Sequence, residues 1–404
     1  GDERKAGINV NDANSLTIYD QAGHTGVLNV TGDQNGAGIG SGYNEKGGFI
    51  TINGGIINAT GGDGDYDNKL EDAGAGIGDG GYSDEIKIII NGGEIIATGG
   101  GGDKGSWTGA GIGGDESDIT ITGGKITATG GKNKDGLDVM GGAGIGGSGK
   151  AYVNTIIISG GTVTATGGPN AAGVGGGEMG VGGGITISGG VVNATGGNYL
   201  DESGFSSGGA GIGSGAGAHD HDGEYETTIT ISGTSTVTAT GAFGSAGIGT
   251  GTGGGESNHS ATITIDGGTV TGIGGVGGAG IGGGLMLDGG TITIKNGTVT
   301  ATGGEGISGE ELTIFGGTGI GGGSGASMDD FTFPSGSGGT ANISGGLVFA
   351  KGDDSAKDIG GALDSSGGSL AISGTAAVFL RNDSSVEPVD TTTHTHKNIG
   401  NHVA

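Results

Sequence analysis

The chain has 404 residues, of which 113 are glycine, 3 are proline and none is cysteine, and it carries a formal net charge of −28. Glycine this frequent without a Gly-X-Y period excludes collagen, and the regular runs of Ile, Val and Thr exclude a disordered chain. So acidic a surface repels nucleic acid and anionic lipid, and no apolar run approaches the length of a bilayer-spanning helix, which leaves no nucleic-acid partner and no membrane insertion.

Residues 1–31 come first, with Ile8, Ser15-Leu-Thr-Ile18 and Gly26-Val-Leu-Asn-Val30, and are expected to form an irregular capping coil. From residue 32 to 380 one unit recurs. Around Ile145 it reads Gly142-Ala-Gly-Ile-Gly-Gly147, a loop, Thr155-Ile-Ile-Ile-Ser-Gly-Gly161, then Thr162-Val-Thr-Ala-Thr-Gly-Gly168 and a second loop. These segments are termed AGIG, ITI and TVTAT. The apolar residue of AGIG returns at Ile39, Ile77, Ile112, Ile145, Val174, Ile212, Ile248, Ile281, Ile320 and Ile359. Toward the end, Leu347-Val-Phe-Ala350 and Ala376-Ala-Val-Phe-Leu380 carry larger apolar residues, suited to a cap. Residues 381–404 are polar and without period, and are expected to be a tail or linker.

ITI and TVTAT alternate with the period of a half-buried strand: Ile119 and Ile121 share one face, as do Ile126 and Ala128. The Gly-Gly pair between them allows a sharp corner. No unit can bury its own apolar face, so each must stack on its neighbours about 4.8 Å away. The expectation is an all-β chain, a right-handed parallel β-helix with three short parallel sheets and about eleven coils, roughly 50 Å long.

Serial Gly-Ala-Gly-Ile-Gly and Ile-Thr-Ile-Ser-Gly-Gly-Thr-Val-Thr-Ala-Thr-Gly-Gly units, following Ser15-Leu-Thr-Ile-Tyr-Asp-Gln21, resemble a group of surface proteins of Gram-positive, often gut, bacteria. They are also similar to the parallel β-helices related to pectate lyases, some of which bind plant or host polysaccharide without cleaving it. The resemblance covers nearly the whole chain. It implies a bacterial protein, secreted or held at the cell surface, with a polysaccharide as partner. A single copy and no required cofactor are expected.

Several motifs carry alternative chemistries. Gly142-Ala-Gly-Ile-Gly-Gly147 satisfies GxGxxG, but the motif recurs in most coils with no helical pattern after it, so a nucleotide site is not expected. Asp63, Asp65, Asp67, Glu71 and Asp72 crowd one loop and form a candidate Ca²⁺ set, since hard cations take several oxygens. His219 and His221, with His259 in the matching loop of the next coil, form a second candidate metal set. The TVTAT threonines align as two outward columns, as in ice-binding β-solenoids, though Asn58, Ile96, Asn193 and Ile273 interrupt them and β-propensity alone accounts for the rest.

The aromatics point to carbohydrate. Tyr43, Tyr82, Tyr152 and Tyr225 fall in the AGIG-to-ITI loops, and Trp107 and Tyr199 in the TVTAT-to-AGIG loops, together with Tyr66, Phe205 and Phe243. An aromatic ring presents an apolar face on which a sugar can stack, and Tyr and Trp add a polar tip. Two loop columns lined with aromatics and carboxylates would flank the rod. Cleavage of an acidic polysaccharide needs a cation to hold the substrate carboxylate, and no Arg occurs between Arg4 and Arg381. The expected function is therefore a non-catalytic glycan-binding or adhesive module. The alternatives are a structural stalk, a polysaccharide lyase or hydrolase, and an ice binder.

Overall fold

The computed structural model describes residues 4–380, apart from 22, 24, 65–71, 82, 84, 104, 133–139, 152, 201–205, 219–225, 254–258, 310–311, 329–330, 363–364 and 366–367. The polar segment 381–404 thus lies outside the described residues. Eleven AGIG strands stack in parallel, in chain order, from Ile8–Asn9 to Ile359–Gly360. The segments stack in register, Ile on Ile: Ile88, Ile119, Ile156, Ile185 and Ile229 form one ladder and Ile90, Ile121, Ile158, Ile187 and Ile231 the next. Their side chains join a single apolar core running the length of the rod. The architecture is the right-handed parallel β-helix.

The predicted alternation holds along each wall. In Ser117–Ile121 the two isoleucines are fully buried and Thr120 is half-exposed. In Lys125–Thr129 Ile126 and Ala128 face the core while Lys125 is exposed, and Lys125 reaches Glu94 of the coil before at 2.7 Å. Where the corner residues are polar they also form ladders: Asn91 Nδ2 donates to Asn53 Oδ1 at 2.8 Å, and Thr122 Oγ1 donates to Asn91 Oδ1 at 2.8 Å.

Three segments per coil are present, and two of the walls belong to one sheet. ITI and TVTAT strands together form one sheet of nineteen. The link lies in three successive coils, where Thr227–Thr240, Ala261–Ile273 and Thr291–Thr302 each run through the corner as one bent strand. In the other central coils a Gly-Gly pair makes the corner, with its second glycine at positive φ, as at Gly93 (104°) and Gly124 (97°).

The AGIG segment is less a flat wall than a narrow inward loop. Its Ile points into the core and is buried. Its arms are tied together: the Ala75 amide donates to the Asp79 carbonyl, Ala143 to Gly147, Ala172 to Gly176 and Ala246 to Thr250, at 2.8 to 2.9 Å. The alanines are buried yet belong to no core cluster, because they lie on the outer side under the loops. From Gly40 to Gly321, the glycine after the AGIG apolar residue has no room for a side chain. A Cβ on Gly146 (φ 137°) would sit 1.9 Å from the Gly175 carbonyl oxygen of the next coil.

The first coil pairs in register with the second, through Ile8 on Ile39 and Leu16 on Ile50. At the far end Phe349 and Phe379 stack with centroids 5.0 Å apart. Among the described residues there is no helix, and hence none long and apolar enough to cross a membrane.

Candidate functional site: a tryptophan groove where two loop columns meet

Because the arms of most AGIG turns are tied together, the two loops that leave such a turn start side by side. They then bond to one another. Gly81 N–H donates to Asn35 O, Gly149 to Thr108, Glu178 to Gly141, Ala216 to Asn170 and Thr252 to Gly208, at 2.7 to 3.1 Å. In each case the loop after one AGIG turn is joined to the loop before the preceding one. The loops also stack coil on coil: Asn44 N–H donates to Gly81 O, Lys150 to Glu178 O, Met179 to Ala216 O and Gly217 to Thr252 O, all at 2.8 Å. Asn44, Lys150, Met179 and Gly217 occupy equivalent positions, and all adopt left-handed backbone, with φ between 55° and 64°. The two expected loop columns are therefore not independent of one another. Both columns are zipped into one outer layer over the AGIG turns.

That layer contains a groove of about 310 Å³ in the N-terminal half of the rod. Trp107 comes from the loop before one AGIG turn and Lys150 from the loop after the next. The Lys150 Nζ lies 4.2 Å from the centre of the Trp107 ring. Trp107 is half-buried, and its backbone bridges to Asp72 on one side and Met140 on the other. Asn44, Asp72, Asp79 and Asp115 also line the groove. Asp79 is 3% exposed, and its Oδ2 accepts the Asp115 amide at 2.7 Å. The floor is fixed by hydroxyls: Ser41 Oγ accepts the Gly80 amide and Ser83 Oγ donates to Gly42 O. The site thus offers one indole face, one lysine ammonium and several carboxylates.

The other predicted residues distribute as follows. Tyr43 lies under the Arg4 guanidinium, 5.0 Å from its carbon to the ring centre. Tyr199 is half-buried in a short antiparallel hairpin, paired with Ser207. Phe243 packs on a satellite apolar cluster with Leu285, Ile314 and Ala326, a packing role. Tyr82, Tyr152 and Tyr225 lie outside the described residues, as do Tyr66 and Phe205. Tyr19, which sequence reasoning passed over, is 73% exposed, and it borders a shallow 230 Å³ pocket with Val27 and Ile56 at a corner of the first two coils. Its position beside the corner was the available signal.

Of the candidate Ca²⁺ set, Asp65, Asp67 and Glu71 lie outside the described residues. Asp63 Oδ1 accepts the Gly101 amide at 2.9 Å, and the Asp72 carbonyl accepts from Asn35 Nδ2 at 2.5 Å. Of the histidine set, His219 and His221 lie outside the described residues. His259 does not sit in an open loop, as its surroundings in the sequence suggest. It is 5% exposed and places Nε2 2.8 Å from Thr227 Oγ1, which also accepts the Gly182 amide, so the ring locks its loop onto the preceding coil. Among the described residues no group of three or more His, Asp or Glu side chains converges as a metal would require. The threonine columns face outward, but exposed Ile96 and Ile273 and the intervening Asn58 and Asn193 limit an unbroken double column to the coils of Thr127 and Thr164.

One carboxyl beside the groove is strongly perturbed. Burial pushes Glu178 up to about 7, against partial opposition from Asn170, the Gly141 amide and Lys150. Asn170 Nδ2 donates to Oε1 at 3.0 Å, and Ser207 Oγ donates to Asn170 Oδ1 at 2.7 Å. Glu178 is not among the residues that line the groove. It links the two loop columns instead.

Seven segments match the model of the beta helix repeat: residues 50–81, 88–116, 119–149, 156–178, 185–216, 229–255 and 292–309. The matches are in phase with the coils, each of the first six running from an ITI strand to the loop after the next AGIG turn. No curated protein and no solved structure matches the chain.

Proposed function

We propose that the protein is a non-catalytic, extracellular bacterial surface module that binds glycan in the Trp107 groove. The observation that carries this reading is the half-buried indole in a groove lined with fixed polar groups. A sugar ring stacks its apolar face on an indole while its hydroxyls bond to surrounding polar atoms. The rod supports the role by holding the loops through main-chain ladders, so little ordering is needed on binding. Parallel β-helices include enzymes and non-enzymes. The non-catalytic reading rests on the lack of any Arg between Arg4 and Arg381 and on the placement of Glu178, the carboxyl held near neutrality, outside the groove lining.

A glycan array with and without added calcium tests the proposal. The expected result is a reproducible hit that is lost in Trp107→Ala. Silence across plant, host and microbial glycans in both conditions overturns it. The second reading, a structural stalk, then stands, favoured by the continuous ladder through both the strands and the loops.

A further inference from the structure

Lys150 stands between two groups that an ammonium can serve. On one side is Trp107, the one tryptophan of the chain, whose ring centre lies 4.2 Å from Nζ. On the other is Glu178, whose carbonyl oxygen accepts the Lys150 amide at 2.8 Å, so the two residues are joined at the main chain. The charge of Lys150 is felt at the Glu178 carboxyl. The Lys150 backbone is held in the left-handed region, at φ 61°, while its four-carbon stem turns about single bonds.

Glu178 is enclosed by the loops of three coils. Its Oε1 accepts from Asn170 Nδ2 at 3.0 Å, Asn170 Oδ1 accepts from Ser207 Oγ at 2.7 Å, and the Glu178 amide donates to Gly141 O at 2.8 Å. Oε2 has no hydrogen-bond partner. Of the groups that act on the carboxyl, only Lys150 is charged. The loop stacked on the far side, through Met179 N–H to Ala216 O, leads on to His219 and His221, which lie outside the described residues. Burial pushes the carboxyl up to about 7, so its charge changes near neutrality. Asp72, Asp79 and Asp115 in the groove lining each have partners of their own.

A neutral carboxyl offers an ammonium little, and the cation gains more from the ring quadrupole. An ionised carboxylate buried with one oxygen unpartnered is costly until a donor reaches it, and it attracts a cation more strongly than an indole face does. We infer that Lys150 is a two-position latch on the groove: its ammonium lies over Trp107 while Glu178 is protonated, and turns to Glu178 Oε2 when that carboxyl is ionised, which uncovers the indole. Acid therefore closes the groove and alkali opens it. The position with Nζ over the ring is the closed one. The latch works whatever the groove binds, so it does not depend on the glycan reading.

Quenching of Trp107 fluorescence by acrylamide tests the latch on the whole chain without any ligand, because no other tryptophan contributes. In wild type the quenching constant is expected to rise roughly twofold between about pH 5 and about pH 9, as one ring face is freed. The midpoint is expected at about 7. Glu178→Gln cannot ionise and is expected to keep the low value throughout. Lys150→Gly suits the left-handed backbone and matches Gly217 at the equivalent position, and it is expected to keep the high value throughout. Far-UV circular dichroism verifies that the strands persist over the same range in all three proteins. A flat wild-type profile overturns the latch. A transition that survives in Glu178→Gln belongs to another group, such as a histidine, and overturns it too. One that survives in Lys150→Gly reports a change in the loops themselves, with the same consequence. The glycan array is a separate measurement: its silence leaves the latch standing, and failure of the latch leaves the glycan reading standing.

Discussion

At the residue scale, Glu178 shows what the zipped loops cost. Its carboxyl is enclosed between the two columns, with Oε1 on Asn170 and with no partner for Oε2 among the described residues. Burial raises its pKa from 4.5 to about 7. Below 4.5 both folded and unfolded chains hold the proton, so the group has no effect on stability. Between 4.5 and 7 the unfolded chain releases it while the folded chain keeps it, and stability falls as pH rises. Above that window the loss is complete and constant. Glu178→Gln keeps an acceptor for Asn170 and removes the titration. It is expected to match wild type near pH 4 and to exceed it by on the order of 1–2 kcal/mol near pH 8, measured by denaturant unfolding. A wild-type advantage at the higher pH would refute this account.

At the element scale, alternation along a strand decides which substitutions matter. Val153–Ile158 carries three successive isoleucines that composition cannot tell apart. Ile156 is fully buried between Ile119 and Ile185, while Ile157 is 37% exposed on the outer face. Ile156→Ala leaves a void that stacked neighbours above and below cannot fill, and is expected to cost about 2–5 kcal/mol. Ile157→Thr replaces an outward residue with the one found at Thr120 and Thr186 in the flanking coils, and is expected to stay within about 0.5 kcal/mol. Thermal melts of the two variants side by side check the pair. Comparable losses would mean that the register is wrong by one residue.

At the scale of the whole molecule, each coil touches its two neighbours and little else, so stability is close to a sum of coil and interface contributions. Deleting residues 130–166, one full turn from one Thr-Gly junction to the next, joins Thr129 to Gly167 with every ladder still in register. The shortened chain is expected to fold, with an unchanged strand signature by circular dichroism and a lower melting temperature. It also removes Lys150, so any remaining glycan affinity must come from elsewhere on the rod. Collapse of the strand signature would show that the coils are not interchangeable units.

What could be read from the sequence and what could not divide along a physical line. Side-chain period, the spacing of Ile39 through Ile359 and the Gly-Gly corners are local properties repeated along the chain, and stacking has one solution that buries every ladder. Coil number, wall order and inward faces therefore followed from the sequence alone. The groove did not. Trp107 and Lys150 lie in loops that share no motif, and what brings them together is a set of backbone hydrogen bonds, in which no side chain is specified: Ala143 to Gly147 across the neck of a turn, and Gly149 to Thr108 across the outer layer. His259 misled for the same reason, since nothing near it in sequence announces that Thr227, one coil away, will receive its ring. The sequence by itself determined the rod, because repetition makes each local preference cooperative along the stack. Only the tertiary structure decided which loop residues meet, because those meetings depend on main-chain geometry between coils rather than on residue pattern within one.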